Sequence, residues 1–204
     1  MESALAFLSL LGVAVFAASG ALAANEEKFD LIGALFLSGV AGLGGGTIVD
    51  LLTGADMVRW VKDPVPLWVA LGAGGAVFVL ARFTHMPHQA LIWADAVGLA
   101  VFTAAGMERL TMMGLQPGVA VFLATILACG GGILRDVLAN RTPIVFSPET
   151  ELYVTAAFAG GAAYLIAAAL APGAALPAAL IVTLAVRAAA LMFGWRLIRG
   201  SGRA

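Results

Sequence analysis

Seven apolar segments alternate with short polar stretches along the chain. They cover about residues 3–24, 31–52, 65–82, 90–107, 117–138, 152–170 and 174–197. Each approaches the roughly 20 residues that an α-helix needs to cross the hydrocarbon core of a bilayer. The polar stretches between them are too short to form a soluble domain. The pattern predicts an all-α integral membrane protein with seven transmembrane helices, organised as a single transmembrane domain over residues 1–204.

The composition agrees with a membrane protein. Hydrophobic residues make up 62% of the 204 residues, and charged residues only 11%. A soluble domain of this size cannot bury so much apolar surface. The net charge of −1 leaves no broad basic face, so we expect no nucleic-acid partner. No nucleophile–base pair and no set of metal ligands can be assembled from the sequence, so we expect neither an enzyme nor a cofactor.

The second and fifth segments carry the same motif. The glycine runs Gly44–Gly46 and Gly130–Gly132 lie 86 residues apart, and an aspartate follows the last glycine of each run by four residues. These aspartates are Asp50 in the first copy and Asp136 in the second. A carboxylate is costly in lipid, so we expect both to face an aqueous path or a charged partner.

The repeat extends well beyond the glycines. Between residues 12–50 and 98–136, 13 of the 39 aligned pairs are identical, where chance would give roughly four in so biased a composition. We therefore divide the chain into repeat one, about 3–82, repeat two, about 90–170, and an extra helix, about 174–197. Three segments per repeat is an odd number, which predicts an inverted three-plus-three pair related by a pseudo-two-fold axis in the membrane plane.

The glycine runs are the main candidates for a site at which backbone groups contact a transported ion. Each glycine costs a helix about 1 kcal/mol relative to alanine, so we predict that the second and fifth helices are broken at Gly-Gly-Gly. The freed carbonyls could then coordinate a cation at membrane depth. The alternative is that the glycines only allow close helix packing. The predicted pore or ion-pathway residues are Gly44, Gly45, Gly46, Thr47, Asp50, Gly130, Gly131, Gly132, Arg135 and Asp136.

Two further ionisable residues lie inside apolar segments, Asp95 in the fourth and Arg187 in the seventh. Charges at such positions are functional candidates by default. We name Asp95 and Arg187 as a candidate intramembrane charge pair. The alternatives are a purely structural pair, Asp50 as the partner of Arg187, and a position of Asp95 near the membrane surface.

The basic residues in the loops and at the ends of the spans predict an orientation. Three lie on the side of the N-terminus and six on the opposite side, and cytoplasmic loops carry the excess of Lys and Arg. The sequence therefore predicts a multi-pass protein of the bacterial inner (cell) membrane with its N-terminus outside and its C-terminus cytoplasmic. The first set is Arg59, Lys62 and Arg109, and the second is Lys28, Arg82, Arg141, Arg196, Arg199 and Arg203.

Seven segments, an inverted three-plus-three repeat and Gly-Gly-Gly motifs in segments two and five resemble the prokaryotic trimeric intracellular cation (TRIC) channels. The most specific part is Gly-Gly-Gly-x-x-Arg-Asp at 130–136, and the first copy departs from it with Val49. The resemblance implies a homotrimer in membrane lipids with one pore per protomer, lined by the second and fifth segments. It also implies passage of potassium and sodium ions, with no cofactor and no catalysis.

A second function is compatible with the same pattern. Secondary transporters also place interrupted helices of inverted repeats at the membrane midplane. A related bacterial membrane family carries the same motifs, and glycine uptake has been proposed for some of its members. The sequence therefore predicts a monovalent cation channel, with a secondary transporter for glycine or a similar small zwitterion as the alternative.

Overall fold

A computed structural model describes residues 2–84, 86–146 and 152–195. Within these residues seven helices are long and apolar enough to cross a membrane, which confirms the seven predicted segments. The predicted end of the last segment, at 197, lies outside the described residues. The helices are α1 Glu2–Glu26, α2 Leu31–Leu52, the short α3 Arg59–Lys62, α4 Val65–Phe83, α5 His88–Met112, α6 Pro117–Leu138, α7 Tyr153–Leu170 and α8 Ala175–Phe193.

Local sequence signals explain where the helices begin and end. Asp30 precedes α2, and its carboxylate accepts the Gly33 backbone N–H at 2.7 Å, which is the usual N-cap contact. Helix α6 begins with Pro117, a position where the missing N–H costs nothing. Gly114 follows α5 with a positive φ of 73°, a conformation that glycine adopts without steric cost. Helix α5 differs from the prediction, because it continues past residue 107, through Glu108 and Arg109, to Met112.

Helices α1 and α5 meet across an internal two-fold axis. A Cβ on Gly12 would lie 2.6 Å from the Phe102 ring, and a Cβ on Gly98 would lie 2.7 Å from the Phe16 ring. The two contacts are equivalent under the repeat offset of 86 residues. The two rings stack with their centroids 5.4 Å apart and an interplanar angle of 14°. Reciprocal contacts of this kind define an isologous interface, as the inverted repeat predicts.

Helices α2 and α6 cross with their backbones in contact. A Cβ on Gly45 would overlap the carbonyl oxygen of Leu127, and a Cβ on Gly131 would overlap the carbonyl oxygen of Ala41. These contacts are also equivalent under the offset of 86 residues. A Cβ on Gly130 would lie only 3.0 Å from the Gly45 Cα. We call this contact of the two glycine runs the glycine crossing.

The glycine runs do not interrupt the helices, which corrects one part of the predicted fold. Helix α2 continues from Leu31 to Leu52, and α6 continues from Pro117 to Leu138. Backbone groups in lipid need internal hydrogen-bond partners, and this requirement favours an intact helix. The close approach that glycine permits offsets its low helix propensity. The close-packing alternative therefore describes the observed contacts.

Helix α8 stands outside the repeat and packs along α5 and α7. Its Thr183 fits against Gly160 of α7, where a Cβ would overlap the threonine hydroxyl. That hydroxyl donates to the Ala179 carbonyl at 2.7 Å, so it is satisfied within its own helix. The packing brings the buried Arg187 of α8 next to the first turn of α7.

Candidate functional site

Asp50 lies near the C-terminal end of α2, and only 1% of its surface is exposed. Its Oδ1 accepts hydrogen bonds from Arg59 Nε at 3.0 Å and from Arg109 Nη2 at 2.6 Å. Its Oδ2 accepts the Arg59 backbone N–H at 2.9 Å. Two guanidinium groups therefore hold one carboxylate. We call Asp50, Arg59 and Arg109 the first cluster; it lies toward the face where α1 begins, the N-terminal face.

The short helix α3 holds Arg59 over the end of α2. Trp60 Nε1 donates to Thr47 Oγ1 at 2.9 Å, and the Thr47 hydroxyl donates to a backbone carbonyl one turn earlier at 2.9 Å. Arg59 Nη2 lies 3.6 Å from the position that a Cβ on Gly46 would occupy. The guanidinium therefore rests over the last glycine of the first run. The Arg59 side chain is 50% exposed, and that of Arg109 is 17% exposed.

Asp136 and Arg135 lie at the equivalent end of α6, and both are buried. Arg135 Nε donates to Asp136 Oδ1 at 2.8 Å, and Arg135 Nη1 donates to Asp95 Oδ1 at 2.7 Å and to Ser19 Oγ at 2.8 Å. Asp136 Oδ2 accepts the Ile144 backbone N–H at 3.0 Å. One guanidinium therefore holds two carboxylates. We call Asp95, Arg135 and Asp136 the second cluster.

The two clusters contain an equivalent hydrogen bond to a backbone N–H, but their arginines come from different places in the sequence. In each cluster, Oδ2 of the motif aspartate accepts an N–H from the connection that follows its helix, from Arg59 or from Ile144. Arg135 belongs to the motif itself, whereas the first copy has Val49 at that position and Arg59 supplies the guanidinium. The predicted site did not include Arg59 or Arg109. Val49, which stands where the second copy has Arg135, was the signal in the sequence that another arginine must pair with Asp50.

The pairing of Asp95 on α5 with Arg187 on α8 stays a prediction, and both residues are buried. Asp95 forms an ion pair with Arg135, at 2.7 Å. The Arg187 guanidinium lies over the Tyr153 ring, 5.0 Å from its centroid. A Cβ on Gly132 would lie 3.2 Å from Asp95 Oδ1 and 3.7 Å from the Tyr153 hydroxyl. Arg187 therefore neighbours the second cluster through Tyr153.

Two polar atoms of the second cluster lack a hydrogen-bond partner among the described residues. They are Asp95 Oδ2 and Arg135 Nη2, on side chains that are at most 1% exposed. Both residues line one small interior gap together with Cys129, Gly132 and Tyr153. Burying such groups without partners is costly. One acceptor and one donor of the second cluster therefore remain unpaired beside a gap that is closed in this structure.

The two clusters lie on opposite sides of the glycine crossing. Helix α2 ends toward the N-terminal face and α6 toward the other, so the two helices are antiparallel. From Gly45 to Asp50 and from Gly131 to Asp136, a helix rises about 7.5 Å, which separates the two carboxylates by roughly 15 Å along the helices. All ten predicted pathway residues lie in the crossing or at its two ends. The arrangement places fixed charges at both ends of a contact in which backbone touches backbone at Gly45 and Gly131.

An inverted repeat with charged side chains buried at both ends of a central crossing is typical of multi-pass membrane channels and transporters. A family model described as "Glycine transporter" matches residues 6–82 and 92–169, once in each half of the chain. These matches cover more than half of the chain, which therefore belongs to this family.

Proteins named as UPF0126 membrane proteins are similar to this chain. The UPF0126 inner membrane protein YadS of Escherichia coli (strain K12) is 42% identical over 156 residues, which cover 76% of this chain and 74% of that protein. A relative from Deinococcus radiodurans is 39% identical over 168 residues, 82% of this chain and 78% of its own. One from Vibrio cholerae is 39% identical over 163 residues, but the chain covers only 66% of its length. The chain is a multi-pass membrane protein with bacterial inner-membrane relatives.

Solved structures of TRIC channels share the fold. The TRIC trimeric intracellular cation channel orthologue from Rhodobacter sphaeroides is 35% identical with a TM-score of 0.89, over 94% of this chain and 99% of that one. A prokaryotic TRIC channel crystallised in 0.5 M KCl is 28% identical, also with a TM-score of 0.89, over 97% and 100% of the two chains. The resemblance to prokaryotic TRIC channels is confirmed. These relatives are channels and membrane proteins rather than enzymes.

Proposed function

We propose that this protein is a channel for monovalent cations, potassium and sodium, in the bacterial inner membrane. The observation that carries the proposal is the TM-score of 0.89 over 94% of the chain with a protein described as a cation channel orthologue. A common fold alone does not assign a function. The 35% identity and the acids at both ends of the glycine crossing add support from sequence and from the site.

The ion pathway follows the glycine crossing from the first cluster to the second. Asp50 and Asp136 attract cations at its two ends, and Arg59, Arg109 and Arg135 hold these carboxylates and limit flow. The backbones of α2 and α6 touch at Gly45 and Gly131, and the side chains of Leu134 and Ile48 pack over Gly44 and Gly130. A small shift of one helix on the other therefore changes the path between them. Bending or sliding of α6 at its glycine run opens and closes the pathway.

The channel works as a homotrimer in membrane lipids, with a separate pore in each protomer. Its N-terminus lies outside and its C-terminus lies in the cytoplasm, because the basic residues concentrate on the C-terminal side. Three of these, Arg196, Arg199 and Arg203, lie outside the described residues. Green fluorescent protein fused to the C-terminus should fluoresce, because it matures only in the cytoplasm. A dark fusion of a membrane-inserted protein would contradict this orientation.

Planar-bilayer recording of the purified protein under a potassium chloride gradient tests the proposed channel. We expect discrete current steps whose reversal potential lies toward the potassium equilibrium potential. A silent bilayer with correctly folded protein, or a reversal potential on the chloride side, would overturn the proposal.

A secondary transporter for glycine or a similar zwitterion is the second candidate, and one observation favours it. Asp95 Oδ2 and Arg135 Nη2 lack hydrogen-bond partners among the described residues, and an opening of the closed gap that both residues line would let them bind the ammonium and carboxylate groups of an amino acid. The family model's description points the same way. Saturable uptake of radiolabelled glycine into proteoliposomes, lost in Asp95→Asn, together with silent bilayers, would favour the transporter over the channel.

A further inference from the structure

The two clusters hold their arginines with different strength. Arg135 is fully buried and contacts two carboxylates. Half of the Arg59 side chain is exposed, and it shares one carboxylate with Arg109. If the Arg59 side chain moves away, Asp50 keeps Arg109 and the Arg59 backbone N–H. The first cluster can therefore release a guanidinium without leaving a buried charge unpaired, and the second cannot.

The Arg59 guanidinium covers part of the glycine crossing. Its Nη2 lies 3.6 Å from the Cβ position of Gly46, the last glycine of the first run. It is the one neighbouring group within 4 Å of that position in the described part of the chain. When the Arg59 side chain moves away, Gly46 faces the space that this side chain occupied. The short helix α3 stays anchored meanwhile, because Trp60 donates to Thr47 and does not depend on the Arg59 side chain.

We propose that the Arg59 side chain is a movable lid at the N-terminal end of the ion pathway. Seated on Asp50, it covers Gly46 and narrows the entrance; turned out to water, it uncovers the entrance. The Arg59 side chain is half exposed, and Asp50 keeps Arg109 and the Arg59 backbone N–H when that side chain leaves, so both positions are populated at room temperature. The lid rests on the proposed channel function and assigns its regulation to a residue outside the repeated motif.

The labelling rate of a cysteine at position 46 measures the position of the lid and requires no recording of ion current. A cysteine at Gly46 fits, because its Cβ would make only an ordinary contact with Arg59. N-ethylmaleimide, an uncharged reagent, is added to sealed proteoliposomes that expose the N-terminal face. The otherwise unaltered protein gives the background, since its single cysteine, Cys129, is buried.

Arg59→Gln in the Gly46→Cys protein should raise the labelling rate several-fold, because glutamine cannot form the ion pair with Asp50 that holds the side chain over residue 46. An increase in the labelling rate is informative, because the loss of a nearby cation raises a thiol's pKa and would by itself slow the labelling. Arg59→Lys, which keeps the charge but loses the forked contact, should give an intermediate rate. Lys62→Gln removes one exposed positive charge from the same helix and should leave the rate unchanged.

Bilayer recordings complete the test, with the expectation that Arg59→Gln raises open probability or conductance and Lys62→Gln does not. An unchanged labelling rate in Arg59→Gln, or an equal increase in Lys62→Gln, would overturn the lid. Faster labelling with unchanged currents would overturn its role in gating. If the unaltered protein carries no current, the channel proposal itself fails, and the labelling rates still report whether Arg59 covers Gly46.

Discussion

At the scale of single residues, Arg135 is the charge on which the second cluster depends. Its guanidinium is fully buried and is the ion-pair partner of both Asp95 and Asp136. A buried ion pair adds little stability compared with apolar groups of the same shape, but removing one partner leaves the other charge uncompensated. Without Arg135, two buried carboxylates would lie close together and repel each other. Arg135 is therefore a structural requirement as well as a proposed pathway residue.

We predict that Arg135→Gln lowers the free energy of unfolding by about 3–5 kcal/mol, the usual cost of breaking a buried ion pair. Thermal unfolding of the purified protein in detergent measures the change. Arg82→Gln is the matched control, since Arg82 is exposed and loses the same charge. Adding Asp95→Asn to Arg135→Gln should restore part of the stability. Equal melting curves for the Arg135 and Arg82 variants would contradict the prediction.

Asp136→Asn should weaken cation selectivity or conductance, because it removes a fixed negative charge at one end of the pathway. The asparagine keeps an oxygen for the Ile144 N–H, so the connection after α6 should hold. Reversal potentials under a salt gradient measure selectivity. Asp30→Asn is the control: it removes an exposed charge from the same face and preserves the N-cap of α2. Identical reversal potentials in both variants would place Asp136 outside the pathway.

At the scale of the helices, the glycine crossing sets the distance between α2 and α6. The carbonyl oxygens of Leu127 and Ala41 occupy the places where side chains of Gly45 and Gly131 would begin. Backbone cannot move aside as a flexible side chain can, so even one methyl group must push the two helices apart. At other glycines of the same helices, Gly39 and Gly118, a Cβ would meet nothing within 4 Å. Substitutions there change helix propensity without changing the packing of α2 on α6.

Gly45→Ala and Gly131→Ala should destabilise the fold and change open probability, because the added methyl group displaces α2 from α6. Gly39→Ala is the matched control within α2: its Cβ would meet nothing within 4 Å, so it should gain up to about 1 kcal/mol from helix propensity. Thermal unfolding and single-channel recording of the three variants make the comparison. Currents and melting temperatures of Gly45→Ala that match those of Gly39→Ala would show that the crossing does not control the pathway.

At the scale of the whole molecule, two inverted three-helix halves share one interface and α8 extends the second half. A surface cluster adds to this interface on the face opposite the N-terminus. Arg141 follows α6 and pairs with Glu26 and Glu27 at the end of α1, at 2.7 and 2.6 Å. His88 at the start of α5 also contacts Glu26, at 3.0 Å. The two halves of the chain are thus joined along the full depth of the bundle, as the proposed pore within one protomer requires.

If each protomer of a homotrimer carries its own pore, one complex should show up to three equally spaced current levels. Recording at low protein density resolves these levels, and chemical cross-linking in membranes counts the subunits. Mixing unaltered protomers with Asp136→Asn protomers should give levels of two sizes within one complex. A single level from a cross-linked trimer would indicate one shared central pore instead.

The seven spans, the repeat and the paired aspartates were predictable because they depend on composition and on spacing along the chain. The partners of the aspartates were not, since Asp50 meets Arg109 across 59 residues and Asp95 meets Arg135 across 40. Such contacts depend on which helix faces meet in three dimensions. The predicted helix breaks failed because propensity describes an isolated helix in water, whereas at Gly45 and Gly131 a neighbouring backbone replaces the missing side chains.

The reciprocal contacts of the glycine crossing bear on how such a chain could arise. Gly45 meets Leu127 as Gly131 meets Ala41, so the surface of the first half is complementary to an upside-down copy of itself. A half-length ancestor inserted into the membrane in both orientations would build the same contact as a two-chain assembly. Gene duplication and fusion would then fix one orientation for each half, after which the halves could diverge, as Val49 and Arg135 already have.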